Sequence, residues 1–154
     1  MKFFINLSLS LWFMLSVVSA QIESFPPAKI IGHWTGKGKI IVSWCRQDSL
    51  PVDMEIHKDG TVSGTIGDAP IRKGQFRLNS GFLRFLGNST YLVEADLEGA
   101  LVAGENISRN HITLFLDFKN GLLSGGFHSS GQEAGGKERM KLSGSGLVLV
   151  KGKK

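Results

Sequence analysis

Cysteine is nearly absent from this 154-residue chain: Cys45 is the only one. No internal disulfide can form, so the fold has to be held by core and sheet alone. Cys45 is free to be buried and inert or to pair between chains. Proline is scarce, at four residues, and charged residues make up 20% of the chain. Disorder needs lower hydrophobicity and more charge than this. Glycine is abundant, at 20 residues, but it has no three-residue period, which excludes a collagen helix. No apolar stretch is long and uninterrupted enough for a stable bilayer-spanning helix. Apolar spacing at helical period is missing at any useful length.

Chemical signatures are missing too. His33, His57, His111 and His128 are scattered, with no H-x-H, H-E-x-x-H or paired-cysteine spacing that would hold a metal. No serine sits in a nucleophile elbow. Gly36-Lys37-Gly38 lies within a predicted strand with no helix after it, unlike a phosphate-binding loop. Asp53, Glu55 and His57 share one strand face and are the single titratable row that proton transfer or a cation could use. On a solvated strand such rows are ordinarily plain surface. Lys37 and Lys39, and the group Phe82, Arg84 and Phe85, are too sparse for the interleaved aromatic and basic face that binds single-stranded nucleic acid. The expectation is a protein with no enzymatic activity, no cofactor, no metal and no nucleic-acid partner.

What is present begins with residues 1–20, which have the form of a cleaved secretory signal. Lys2 supplies the charge, residues 7–18 the apolar stretch, and Val18-Ser19-Ala20 the small residues at the cleavage point. The expected location is secreted or periplasmic. Residues 21–29, with Pro26-Pro27, read as an extended lead-in. Residues 30–150 read as one domain, and 151–154 as a basic tail able to touch an anionic surface. The net charge of +5 is otherwise spread out. Asn88-Ser89-Thr90 and Asn106-Ile107-Ser108 are glycosylation sequons if the source is eukaryotic.

From residue 30 onward the pattern alternates with period two, the mark of strands apolar on one face. Trp34, Gly36, Gly38, Ile40 and Val42 alternate with His33, Thr35, Lys37, Lys39 and Ser43. Val52, Met54 and Ile56 alternate with Asp53, Glu55 and His57. Similar alternation recurs around Val62, Tyr91, Ile112 and Met140. Asp59-Gly60 and Asn120-Gly121 are tight-hairpin dipeptides. Their flanks resemble one another from Lys58 to Ile66 and from Lys119 to Phe127, with a looser third copy over 98–107. The pattern predicts an all-β domain of about 8–10 strands, joined by hairpins and therefore antiparallel. With one apolar face it must close on itself, as an up-and-down barrel or as a β-sandwich.

Gly32-His33-Trp34, at the opening of the first long strand, resembles the G-x-W signature of lipocalins and the related calycin barrels. The resemblance implies that Trp34 packs at a closed end of the barrel under a basic residue from the last strands. Arg139 is the expected partner, with Lys141 second. It also implies a small, hydrophobic or amphipathic ligand held inside. The inward candidates to line such a site are Trp44, Met54, Phe76, Tyr91, Leu114, Leu116 and Phe118. Interleaved with them are Gly36, Gly38, Gly64, Gly74 and Gly104. Those glycines leave two outcomes open. They enlarge a cavity, or they relieve crowding in a filled core, in which case the barrel acts through its surface as an extracellular or envelope-associated interaction module.

Overall fold

The computed structural model describes residues 25–43, 45–80, 89–99, 101–102, 107–133 and 139–153. Among these described residues nine strands follow in order: β1 (Gly32–Ile40), β2 (Ser49–Ile56), β3 (Thr61–Ile66), β4 (Ala69–Leu78), β5 (Tyr91–Leu97), β6 (Ile107–Ser108), β7 (His111–Lys119), β8 (Leu122–Glu133) and β9 (Arg139–Lys151). Except for β6, each long strand pairs antiparallel with the one before and after it in sequence. The ring closes where β9 pairs with β1, matching Trp34 to Lys151 and Gly36 to Leu149. The result is a closed, eight-stranded, up-and-down antiparallel barrel. The two-residue β6 extends the outer end of β8 beyond the reach of β7. Closure removes the free edges that a sandwich would leave.

The hairpin dipeptides do what their chemistry allows. Asn120 and Gly121 take φ of 53° and 78°, joining β7 to β8 through a two-residue turn. Those signs match the right-handed twist of the flanking strands. At the β2–β3 turn Gly60 alone has positive φ, 83°, and Asp59 Oδ1 accepts hydrogen bonds from Thr61 N at 2.9 Å and Thr61 Oγ1 at 2.6 Å.

Alternation places Trp34, Val52, Met54, Val93, Leu114, Leu116, Leu142 and Leu149 in one shared core. β1 stops at Ile40, but the alternation of burial runs past it: Ile41 is exposed and Val42 packs against the core. Gly64 departs from the expected inward placement. It is exposed with φ of 125° at the β3–β4 register shift, so it bends the strand and lines no interior. Residues 1–20 and the two sequon asparagines, Asn88 and Asn106, lie outside the described residues.

Each end of the barrel is distinct. One gathers the lead-in, the 57–60 and 120–121 turns and the C-terminal residues; Gly152 N donates to His33 O there at 2.9 Å. The other gathers the β3–β4 turn, Leu101 and Val102, and the segment leading into β7.

Candidate functional site

The barrel interior is where the sequence placed a ligand. Met54, Leu114 and Leu116 do point inward and come together in the central core. Each has 0% of its surface exposed. A side chain on the wall of a ligand-sized void keeps accessible surface, and these three keep none. Phe76 is also buried, and its ring stacks with Phe25 (5.5 Å between centroids) and with Tyr91 (5.1 Å). Tyr91 and Phe118 are half-buried, toward the end that holds the lead-in. Trp44 and Gly104 lie outside the described residues.

Inward glycines account for part of this packing. A Cβ on Gly38 would come within 2.9 Å of the Phe127 ring and 3.2 Å of Leu147 Cβ, and one on Gly144 would overlap the same ring. Phe127 thus occupies the space that Gly38 and Gly144 vacate. A Cβ on Gly36 would overlap Val148 O, and one on Gly74 would stand 2.5 Å from Val62 O. These two glycines admit close backbone approach between neighbouring strands, not a cavity.

At the lead-in end, Trp34 is fully buried and its indole N–H donates to Ile30 O at 2.7 Å. The Ile30 turn is held by Ile30 N donating to Pro27 O at 2.8 Å. Phe118 meets Trp34 edge to face, at 6.2 Å and 87°. The basic group over the indole belongs to Lys151, whose Nζ sits 5.6 Å from the ring centroid and donates to Lys29 O at 2.9 Å. Arg139, the expected partner, begins the same strand that Lys151 ends. Twelve residue steps along the strand separate them, roughly 40 Å at the usual rise. Lys141 is exposed near Arg139, in register with Ser130. Gly32 adopts φ of 127°, and a Cβ there would crowd Lys151 Cε at 3.0 Å. The first glycine of the G-x-W pattern therefore admits both the backbone bend and the lysine stem.

On the outer face the row Asp53, Glu55 and His57 does not act as one bonded unit. Asp53 Oδ1 accepts from His33 Nε2 at 2.7 Å, whereas His57 Nε2 hydrogen-bonds Ser63 Oγ at 2.9 Å. A second pair joins His111 Nδ1 to Asp96 Oδ1 at 3.0 Å. That hydrogen bond, with the nearby charges of His111, Lys73 and Arg72, holds the Asp96 carboxyl below the usual carboxylate range. The hydrogen bonds from Thr61 do the same for Asp59. Among the described residues no group of His, Cys, Asp and Glu has the geometry to hold a metal ion.

Among the described residues, one buried charged side chain escaped the sequence reading. Arg109 is 1% exposed at the far end of the barrel, where Nη1 donates to Ser129 O at 3.4 Å. Ser129, buried as well, donates through Oγ to His111 O at 2.5 Å. Nothing in Ser108-Arg109-Asn110 separates a buried arginine from an ordinary loop arginine. A scan against protein-family models found no match, and comparison with curated proteins and with solved structures found none either.

Proposed function

We propose that this chain is a calycin-like barrel with a packed interior that works through its outside, as an exported interaction module at a cell envelope or in the extracellular space. The observation that carries this is the full burial of Met54, Leu114 and Leu116, the residues that a carrier would use as cavity wall. The barrel ends support it: Trp34 and Phe118 fill one, and at the other buried Leu101 and Val102 lie over the β3–β4 turn, close enough that a Cβ on Gly67 would overlap Leu101 O. No reaction is assigned: His33 bonds Asp53 and His57 bonds Ser63, in two separate contacts on the outer face. The calycin kinship rests on Gly32, Trp34 and the basic Lys151 above the indole, with a closed barrel around them. Export rests on the signal-like character of residues 1–20.

Native mass spectrometry of the purified protein, followed by titration with a fluorescent fatty acid, tests the proposal. The expected spectrum contains the bare chain, and the probe binds without saturation. Retained lipid, or saturable uptake at one molecule per chain, would return the barrel to the carrier class.

A further inference from the structure

One wall of the barrel turns large apolar side chains outward. Phe115 on β7 and Val148 and Val150 on β9 are 37%, 42% and 54% exposed, and half-buried Leu92 and Leu122 adjoin them. The other large apolar residues exposed among those described, Phe25, Ile41 and Leu78, lie at or beyond strand ends. The opposite wall, β2 to β4, turns Glu55, Ser63, Thr65, Gln75 and Arg77 outward.

Strand register fixes what flanks these side chains. Two neighbouring rows of outward residues cross the wall. One runs Lys119, Leu122, Val150, Thr35 and Asp53; the next runs Asp117, Ser124, Val148, Lys37 and Pro51. In each row the valine is central and the two flanks carry opposite charge. The sign also reverses between rows: Lys119 faces the Asp53 side in the first, and Asp117 faces the Lys37 side in the second. Lys37 and Lys39 are exposed, and neither has an ion-pair partner among the described residues. The carboxylates of β5 are already engaged, Glu94 with Arg77 and Asp96 with His111.

Building on the reading of a barrel that works through its outside, we propose that this wall binds a second copy of the chain in a symmetric dimer. The two-fold axis lies between β8 and β9 and runs along the strands. Such an axis exchanges the flanks while keeping each row opposite itself, so one patch serves both subunits. Val150 then meets Leu122 of the partner subunit, and Val148 meets Ser124 of the partner subunit. Asp117 comes opposite Lys37 of the partner subunit. Lys119 comes opposite Thr35, one strand short of Asp53. Farther along β1, Lys39 falls near Phe115 of the partner subunit, and in the other direction His33 and Glu55 fall near the uncharged Asn120-Gly121 turn. The apolar centre is thus covered and charges of unlike sign meet at its rim, an arrangement in which the wall complements itself.

The test is sedimentation velocity of the purified protein over about a hundredfold range of concentration, because mass action sets the dimer fraction. A dimer is expected. Zero-length carbodiimide coupling should join Lys37 of one chain to Asp117 of the other. Within one chain these residues stand three strands apart, roughly 14 Å, too far for a direct amide link between their side chains. Lys37→Glu should weaken the dimer about tenfold, since the symmetry turns two surface attractions into two repulsions. Lys37→Glu combined with Asp117→Lys should recover most of that loss. Val150→Lys should also weaken it about tenfold or more, by placing a charge in the apolar centre. Arg72→Glu, on the opposite wall, should dimerise as the wild type does. A chain that stays monomeric throughout, equal loss in Arg72→Glu, or covalent dimers that lack the Lys37–Asp117 link would overturn the assignment. Failure of a folded double variant to recover would do the same. The coupling experiment needs no variant, so it decides the matter if Asp117→Lys, which also gives up the Thr90 contact, unfolds the chain. A monomer without probe uptake removes this surface and leaves the packed barrel standing. Saturable probe uptake by a dimer strikes the packed barrel and leaves this surface.

Discussion

Trp34 and Lys151 face each other across the β1–β9 pairing, and the lysine ammonium stands 5.6 Å above the indole it is paired with. The contact lies at the seam where the last strand returns to the first, so it ties barrel closure to the burial of Trp34. A cation over an indole contributes about 0.5–2 kcal/mol, depending on desolvation. Lys151→Met should therefore lower stability by about 1–2 kcal/mol in urea unfolding and alter the near-ultraviolet circular dichroism of the buried indole. Arg139→Ala, at the opposite end of β9, should leave that signal unchanged.

Gly38 and Phe127 form a second coupled pair, because the ring fills the space above the glycine. Gly38→Ala should destabilise by about 1–3 kcal/mol through overpacking. In a Phe127→Leu background the same alanine should cost markedly less, and a double-mutant cycle measures the coupling. Strictly additive effects would mean that the ring does not occupy that space.

The β7–β8 hairpin isolates backbone strain from packing. Gly121 has φ of 78°, and a Cβ there would meet nothing within 4 Å. Gly121→Ala should cost about 1–2 kcal/mol, the penalty of the left-handed region for an L residue. Asn120→Gly should fall within a few tenths of a kcal/mol of wild type, since Asn120 already holds positive φ and glycine lacks the steric penalty while losing chain entropy. Thermal melts of the two variants check the contrast.

Asp96 gives the barrel a defined acid dependence. Its carboxyl is held low chiefly by the His111 hydrogen bond. A depressed folded-state value means that the carboxylate's stabilisation is present above the unfolded value, near 4. It is lost as pH falls through the folded value. Urea unfolding at a series of pH values should show wild type and Asp96→Asn differing most above about pH 5 and converging below that window. A gap that stays constant down to strongly acid pH would contradict the assignment.

Period-two alternation and two hairpin dipeptides made the barrel legible, since side-chain parity in a strand is a local property. The site was legible only in part. Met54, Leu114 and Leu116 were recognisable as inward, but whether an inward face surrounds a void depends on what reaches it from the opposite wall. Gly38 reads as spare volume in the sequence, and the Phe127 ring that fills the space comes from a strand distant in sequence. Lys151 looked like the start of a solvated tail, because the pairing that brings it to Trp34 joins the two ends of the domain. The resemblance points to Arg139 as the basic partner, whereas β9 runs on through Leu147 and Leu149 to Lys151. Arg109 had no local signal at all, since its burial is created by strands distant in sequence.

The most direct measurement is methyl-resolved NMR of the purified protein under xenon pressure, which reports any dry apolar void that the gas can enter. With a packed barrel, the methyl resonances of Met54, Leu114 and Leu116 show no saturable shift. Saturable, clustered shifts at those three residues would reveal an internal cavity and contradict the account.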